Sequence, residues 1–132
     1  MLEDFLLEKY APYGIRKANE IYLPFSTSSM FVGECSSLKI AILGLDFVHF
    51  KPGMTIPVVP INSLENSPIL NEHQEWDDIV KECNKEALNV LHIEEERDPT
   101  QYYNPTLYEK SEWQDYVKAR SEPSKRRAES ES

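Results

Sequence analysis

An α+β fold, with a single domain whose small antiparallel sheet is backed by a long amphipathic helix, is what the sequence predicts, and three observations carry it. Lys39–Phe50 is a long apolar run of strand character, Lys51-Pro52-Gly53-Met54 turns it, and Met54–Ile61 returns as the second arm of a hairpin. Glu75–Leu91 sets Trp76, Ile79, Val80, Cys83, Ala87, Val90 and Leu91 at three- and four-residue steps, with charged residues on the opposite side. The 132 residues are enough for one core and not for two.

Taken in order, Leu2–Tyr10 reads as a short helix with Leu2, Phe5 and Leu6 on one side, ended by Pro12 and Gly14. Ile15–Glu20 is polar and either connects or continues the helix. Ile21–Phe25 is apolar and aromatic, a short strand whose Pro24 lacks a ladder donor and belongs at an edge or a strand end. Ser26-Thr27-Ser28-Ser29 offers helix caps for a segment carrying Met30, Phe31, Glu34, Cys35 and Leu38; Gly33 weakens that helix by about 1 kcal/mol relative to Ala, and a loop is the alternative. In the main strand, Ile40–Leu45 is nearly all apolar, the pattern of a strand covered on both faces. The prolines Pro57 and Pro60 confine the returning arm to an edge or make its end irregular. Asn62–His73 is a loop. The long helix ends in the turn Glu94-Glu95-Glu96-Arg97-Asp98-Pro99. Gln101–Tyr108 is aromatic with a turn at Asn104-Pro105, and Ser111–Val117 forms a last short helix. The domain so drawn spans residues 1–118, and 119–132 is a polar tail with no large apolar residue.

The composition narrows function. There are 14 Lys or Arg against 23 Asp or Glu, a net charge of −9, which argues against direct nucleic-acid binding because phosphate neutralisation needs surplus cations. No apolar run approaches the roughly 20 residues of a membrane helix, and Glu3 and Asp4 stand where a signal peptide carries basic residues, so no membrane association is expected. Two cysteines, Cys35 and Cys83, make no disulfide framework and fit a reducing, cytoplasmic setting.

The charge is concentrated. From Glu72 to Asp98 there are ten acids against three bases, a net of −7. Such a surface attracts basic partners and accelerates their encounter, although an acidic helix face also serves solubility alone. Tyr102 and Tyr103 follow directly, and tyrosines are favoured interface anchors. Asp77, Asp78, Glu94, Glu95, Glu96, Asp98, Tyr102 and Tyr103 are therefore the expected partner-binding residues.

Catalytic chemistry is poorly supported. Asp46 and His49 are three apart and face opposite sides of a regular strand. Cys83 lies on the apolar stripe, and nothing marks a base for Cys35. No HxxH, HExxH or CxxC spacing announces a metal, and four glycines form no phosphate-cradling loop, so neither metal nor cofactor is expected.

The stretch Ser26–Leu91, with a capped helical segment, the strand end Ile42-Leu43-Gly44-Leu45-Asp46, a hairpin and an acidic amphipathic helix, resembles small α+β immunity proteins of bacterial toxin–immunity and contact-dependent inhibition systems. Members carry an "ILGGD"-type strand end, and here Leu45 stands in place of the second glycine. The resemblance covers about half of the chain. It implies a non-enzymatic inhibitor that neutralises a cognate toxin domain by occluding it, and it assigns no interface residue. With the charge, it leads to a basic toxin domain, such as a nuclease whose phosphate sites the carboxylates would fill. An adaptor or subunit of a larger complex is the alternative, and a small enzyme using Asp46, His49 or Cys35 a third.

Overall fold

The computed structural model describes residues 2–51, 54–57, 63–73 and 75–120. Its spine is β3 (Ala41–Lys51), the apolar run the sequence singles out. On one side β3 pairs with β6 (Tyr102–Tyr108). On the other it pairs first with β5 (Ser63–Glu65) and then with β4 (Met54–Pro57). Beyond β6 lie β2 (Glu20–Pro24) and β1 (Ile15–Lys17), and every pairing is antiparallel. Four helices accompany the sheet: α1 (Leu2–Tyr10), α2 (Ser28–Ser37), α3 (Trp76–Arg97) and α4 (Lys110–Arg120). The architecture is α+β, as the patterning predicts. The part of the returning arm at Val58–Ile61, and the tail beyond Arg120, lie outside the described residues.

Several elements differ from the sequence reading. Ser28–Ser37 is the helix expected in Ser26–Leu38, but Asn62–His73 is no plain loop, since it holds β5 and a short helical turn at Ser67–Asn71, and α4 runs two residues past the expected boundary at 118. Ile15–Glu20 is neither linker nor helix but the hairpin β1–β2, closed by Ala18 and Asn19 at φ 51° and 67°. Both central residues of a two-residue mirror-image turn need positive φ, which glycine usually supplies, so Ala-Asn gives little warning of it. Asn104-Pro105 is not a turn. It runs through β6, with Asn104 opposite Asp46 and Pro105 opposite Leu45. β2 pairs with β6 only at Tyr102 and Tyr103, and past them the Asn104 carboxamide donates to the Ile21 carbonyl at 3.0 Å in place of a ladder bond. A proline is tolerated where one strand edge has lost its neighbour.

The largest correction concerns α3. It continues six residues past Leu91, so Glu94, Glu95 and Glu96 are helical. Glu94 occupies the next position of the apolar stripe and is itself buried.

Two cores result. The inner sheet face, with Leu23, Leu45, Phe47, Tyr103 and Leu107, packs on α1, on Phe31 and Cys35 of α2, and on Ala87 and Leu91 of α3. The first half of α3, with Trp76, Ile79, Val80 and Cys83, packs instead on Ala41, Ile69 and Leu70, flanked by Tyr108, Trp113 and Tyr116. A register shift between Ile42 and Gly44 turns the strand between these two environments. Gly44 is suited to that place, since a Cβ there would come within 3.2 Å of the Leu64 carbonyl oxygen.

What seats α3 is polar. Among the described residues, the edge of β3 beyond β5 has no strand partner, and two asparagines take over. Asn84 of α3 accepts from the Ile42 amide at 2.8 Å and donates to the Ile40 carbonyl at 3.0 Å. Asn66 donates to the Ile42 carbonyl at 3.0 Å and to the Cys83 carbonyl of α3 at 3.1 Å. Both asparagines are buried. Removing either would leave backbone groups without partners or water, at about 1–3 kcal/mol for each group.

Asn84→Leu is therefore expected to cost about 2–4 kcal/mol in urea unfolding, although it adds apolar volume. Ala18→Gly should raise stability by about 0.5–1 kcal/mol by relieving the positive φ. Equal or lower stability of that variant would show that the turn is not strained.

Candidate functional site

The eight expected partner-binding residues do not share one surface. Asp77 and Asp78 are exposed in the first turn of α3, where Asp77 lies 3.5 Å from the Lys39 ammonium. Glu95 and Glu96 are exposed in its last turns. A rise of about 1.5 Å per residue separates the two groups by about 27 Å. Glu94 and Tyr103 are buried and are withdrawn from the surface. The Glu94 carboxylate is held by Arg97 at 3.3 Å and by the Gln101 carboxamide at 3.4 Å. The Tyr103 hydroxyl lies 2.8 Å from Thr27 Oγ1, and burial pushes its pKa up, so it is a core residue.

The remaining residues meet at one end of the sheet. Asp98 follows α3 directly. Its carboxylate accepts from the Thr100 amide and hydroxyl, which hold its pKa below the usual range, helped by His49 and Arg97. Asp98 lies 2.9 Å from Nε2 of His49 on β3, next to Phe50. Phe50 lies on the outer sheet face, where its ring meets Tyr102 at 5.2 Å and Tyr22 at 5.1 Å, both edge-on. The Lys17 ammonium sits 5.7 Å above the Phe50 ring.

This outer face is the feature the sequence reading missed. Its far end, at Leu43 and Tyr108, packs against the second core together with Trp113 and Tyr116 of α4. Tyr22, Phe50, Tyr102 and Asn104 are half-buried, and Asp46 and Thr106 are exposed. Burial raises the Tyr22 pKa, helped by Glu20 and Asp46, so two carboxylates flank the aromatic trio. The signal was present as alternation: Tyr102, Asn104 and Thr106 point away from the buried Tyr103, Pro105 and Leu107.

The residues named for an enzyme do not converge. Cys35 is fully buried in the inner core, its thiol pushed up by burial, Asp46 is on the outer face, and His49 is paired with Asp98. Cys83 is likewise buried, with its thiol pushed up to about 12.

Two further surfaces stand apart. Phe5, Tyr13 and Met30 are strongly exposed where α1 meets α2. Phe5 and Met30 each lie one turn before a member of the Lys9–Glu34 ion pair, which measures 2.8 Å. An open groove of about 650 Å³ between α2 and α3 has Val32, Gly33, Val80 and Leu88 on its floor. Among the described residues, no helix is long and apolar enough to cross a membrane.

No protein-family model, curated protein or solved structure matches this chain.

Glu3, Glu109 and Glu112 bring three carboxylates within 4.8 Å of one another and link α1 to the start of α4. Burial first, then Glu112 and Glu109, push the Glu3 carboxyl up to about 7. A carboxyl that holds its proton more tightly when folded favours the fold at low pH. That contribution is lost as pH rises from the unfolded value near 4.5 through the folded value. Glu3→Gln should therefore flatten the fall in Tm between about pH 5 and about pH 8, and raise Tm at the upper end relative to wild type. Parallel curves for the two proteins would remove Glu3 as the source.

Proposed function

We propose that this chain is a binding protein that acts by occlusion, an immunity-type inhibitor of a basic toxin domain in the cytoplasm. The observation that carries the reading is the Tyr22–Phe50–Tyr102 platform on the outer sheet face, flanked by the Glu20 and Asp46 carboxylates. Rings held in contact with one another supply rigid apolar area at little entropic cost. Glu95, Glu96 and Asp98 lie at the same end of the sheet, reached through His49 of the inner face, and add negative charge that speeds encounter with a cationic cleft. Glu20 and Asp46 extend that charge along the sheet. The interface is thus moved from the whole of α3 to one end of the sheet, retaining Glu95, Glu96, Asp98 and Tyr102 of the original eight. The resemblance of Ile42-Leu43-Gly44-Leu45-Asp46 and its following hairpin and helix to immunity proteins supports the same reading.

A second reading, an adaptor or subunit of a larger complex, is favoured by a different observation: Phe5, Tyr13 and Met30 are exposed together around the Lys9–Glu34 pair. It places the contact on the opposite side of the inner core.

The direct test is binding to the product of the adjacent reading frame, with dissociation constants and on-rates measured at low and high salt. Tyr102→Ala is expected to weaken the complex by at least about tenfold, the effect of losing an interface anchor. The double variant Glu95→Gln, Glu96→Gln should slow association and flatten its salt dependence. Unchanged values for both variants would exclude this interface. Loss of binding in Phe5→Ser or Met30→Ser instead would favour the adaptor reading.

A further inference from the structure

Away from the sheet platform, the short helical turn at Ser67–Asn71 delivers Glu72 and His73 against α3. His73 Nε2 contacts Glu82 Oε2, and one ligand atom from each of Glu72, His73 and Glu82 lies within 4.8 Å of the other two. Asp78 stands one turn before Glu82 on the same helix, exposed and near enough to act on the imidazole. One imidazole nitrogen and two carboxylate oxygens thus converge on one place. Among the described residues, neither Glu72 nor Glu82 has a Lys or Arg ion partner.

We propose that Glu72, His73 and Glu82 form a binding site for a divalent first-row transition-metal ion, here Zn²⁺. One imidazole nitrogen and two carboxylate oxygens are a mixed donor set of the kind these ions accept. Their partial exposure leaves solvent to complete the coordination. The nitrogen is what distinguishes the site from the purely carboxylate group Glu3, Glu109 and Glu112, because Ca²⁺ and Mg²⁺ prefer oxygen ligands throughout. The ion would join the Ser67–Asn71 turn to α3 across nine residues of chain. That turn carries Ile69 and Leu70 into the second core, so occupancy should stabilise the folded chain. The site is independent of the partner-binding reading, since it lies on the first half of α3.

The test is calorimetric titration of the full chain with Zn²⁺ at neutral pH, paired with thermal melting. Saturable one-to-one binding and a raised Tm are expected with Zn²⁺, and no shift with Ca²⁺ or Mg²⁺. His73→Ala and Glu82→Gln should each weaken binding by at least about tenfold, the scale on which even outer-shell partners act. Glu72→Gln, at an exposed position, serves as the third variant should either of the others lower the stability of the apo chain. Absence of saturable binding would reduce the cluster to an ordinary His–Glu ion pair and overturn the proposal. Binding that survives in all three variants, or that is abolished by His49→Ala or Glu3→Gln instead, would overturn it equally.

Discussion

The buried carboxamides of Asn84 and Asn66 close the open edge of β3, and most of the architecture follows from that closure. A strand edge without partners exposes amides and carbonyls that either find substitutes or draw in another chain. Here β4 and β5 cover the later part of the edge, and two side chains cover Ile40 and Ile42. Because Asn84 sits in the middle of α3, the helix is drawn alongside the strand instead of lying squarely on a sheet face. Its first half then meets one core and its second half the other.

That placement shapes the surface. With α1, α2 and the end of α3 on the inner face and α4 confined to one end of the outer face, the rings of Tyr22, Phe50 and Tyr102 remain partly open to solvent. The 22 residues of α3 reach past the core and end in exposed acids at the same end of the sheet. The Asp98–His49 contact ties that helix end to β3. The open rings on the outer face and the exposed acids at the end of α3 both follow from the seating of the helix on an edge.

Elements whose burial is repetitive were legible in the sequence. The stripe from Trp76 to Leu91 and the run Ile40–Leu45 repeat the same apolar choice at a fixed period, and both became the elements expected. The reading failed where a polar residue does apolar work. Glu94 holds a stripe position, yet it is a glutamate made tolerable by Arg97 and Gln101, which no periodicity reveals. Asn104-Pro105 has the composition of a turn, and only the departure of β2 and the reach of the Asn104 side chain make it a strand. Tyr102 and Tyr103 look equivalent as a pair, but the alternation of a strand sends one to the surface and the other into the core. Glu72, His73 and Glu82 were invisible as a group because the turn that assembles them has no ligand-spacing signature. The −7 stretch is not one surface, since a helix about 33 Å long spreads its acids from Asp77 and Asp78 through Glu82 and Glu86 to Glu95 and Glu96.

Native-state hydrogen exchange at the Ile42 amide tests most directly whether the asparagine pair seats the helix. Among the described residues that amide has no strand acceptor, and Asn84 Oδ1 takes its hydrogen bond. If the clasp persists throughout the folded state, the amide exchanges only on global unfolding, with the same free energy as the central amides of β6. Exchange at the rate of an unprotected edge amide, while β6 stays protected, would contradict the account.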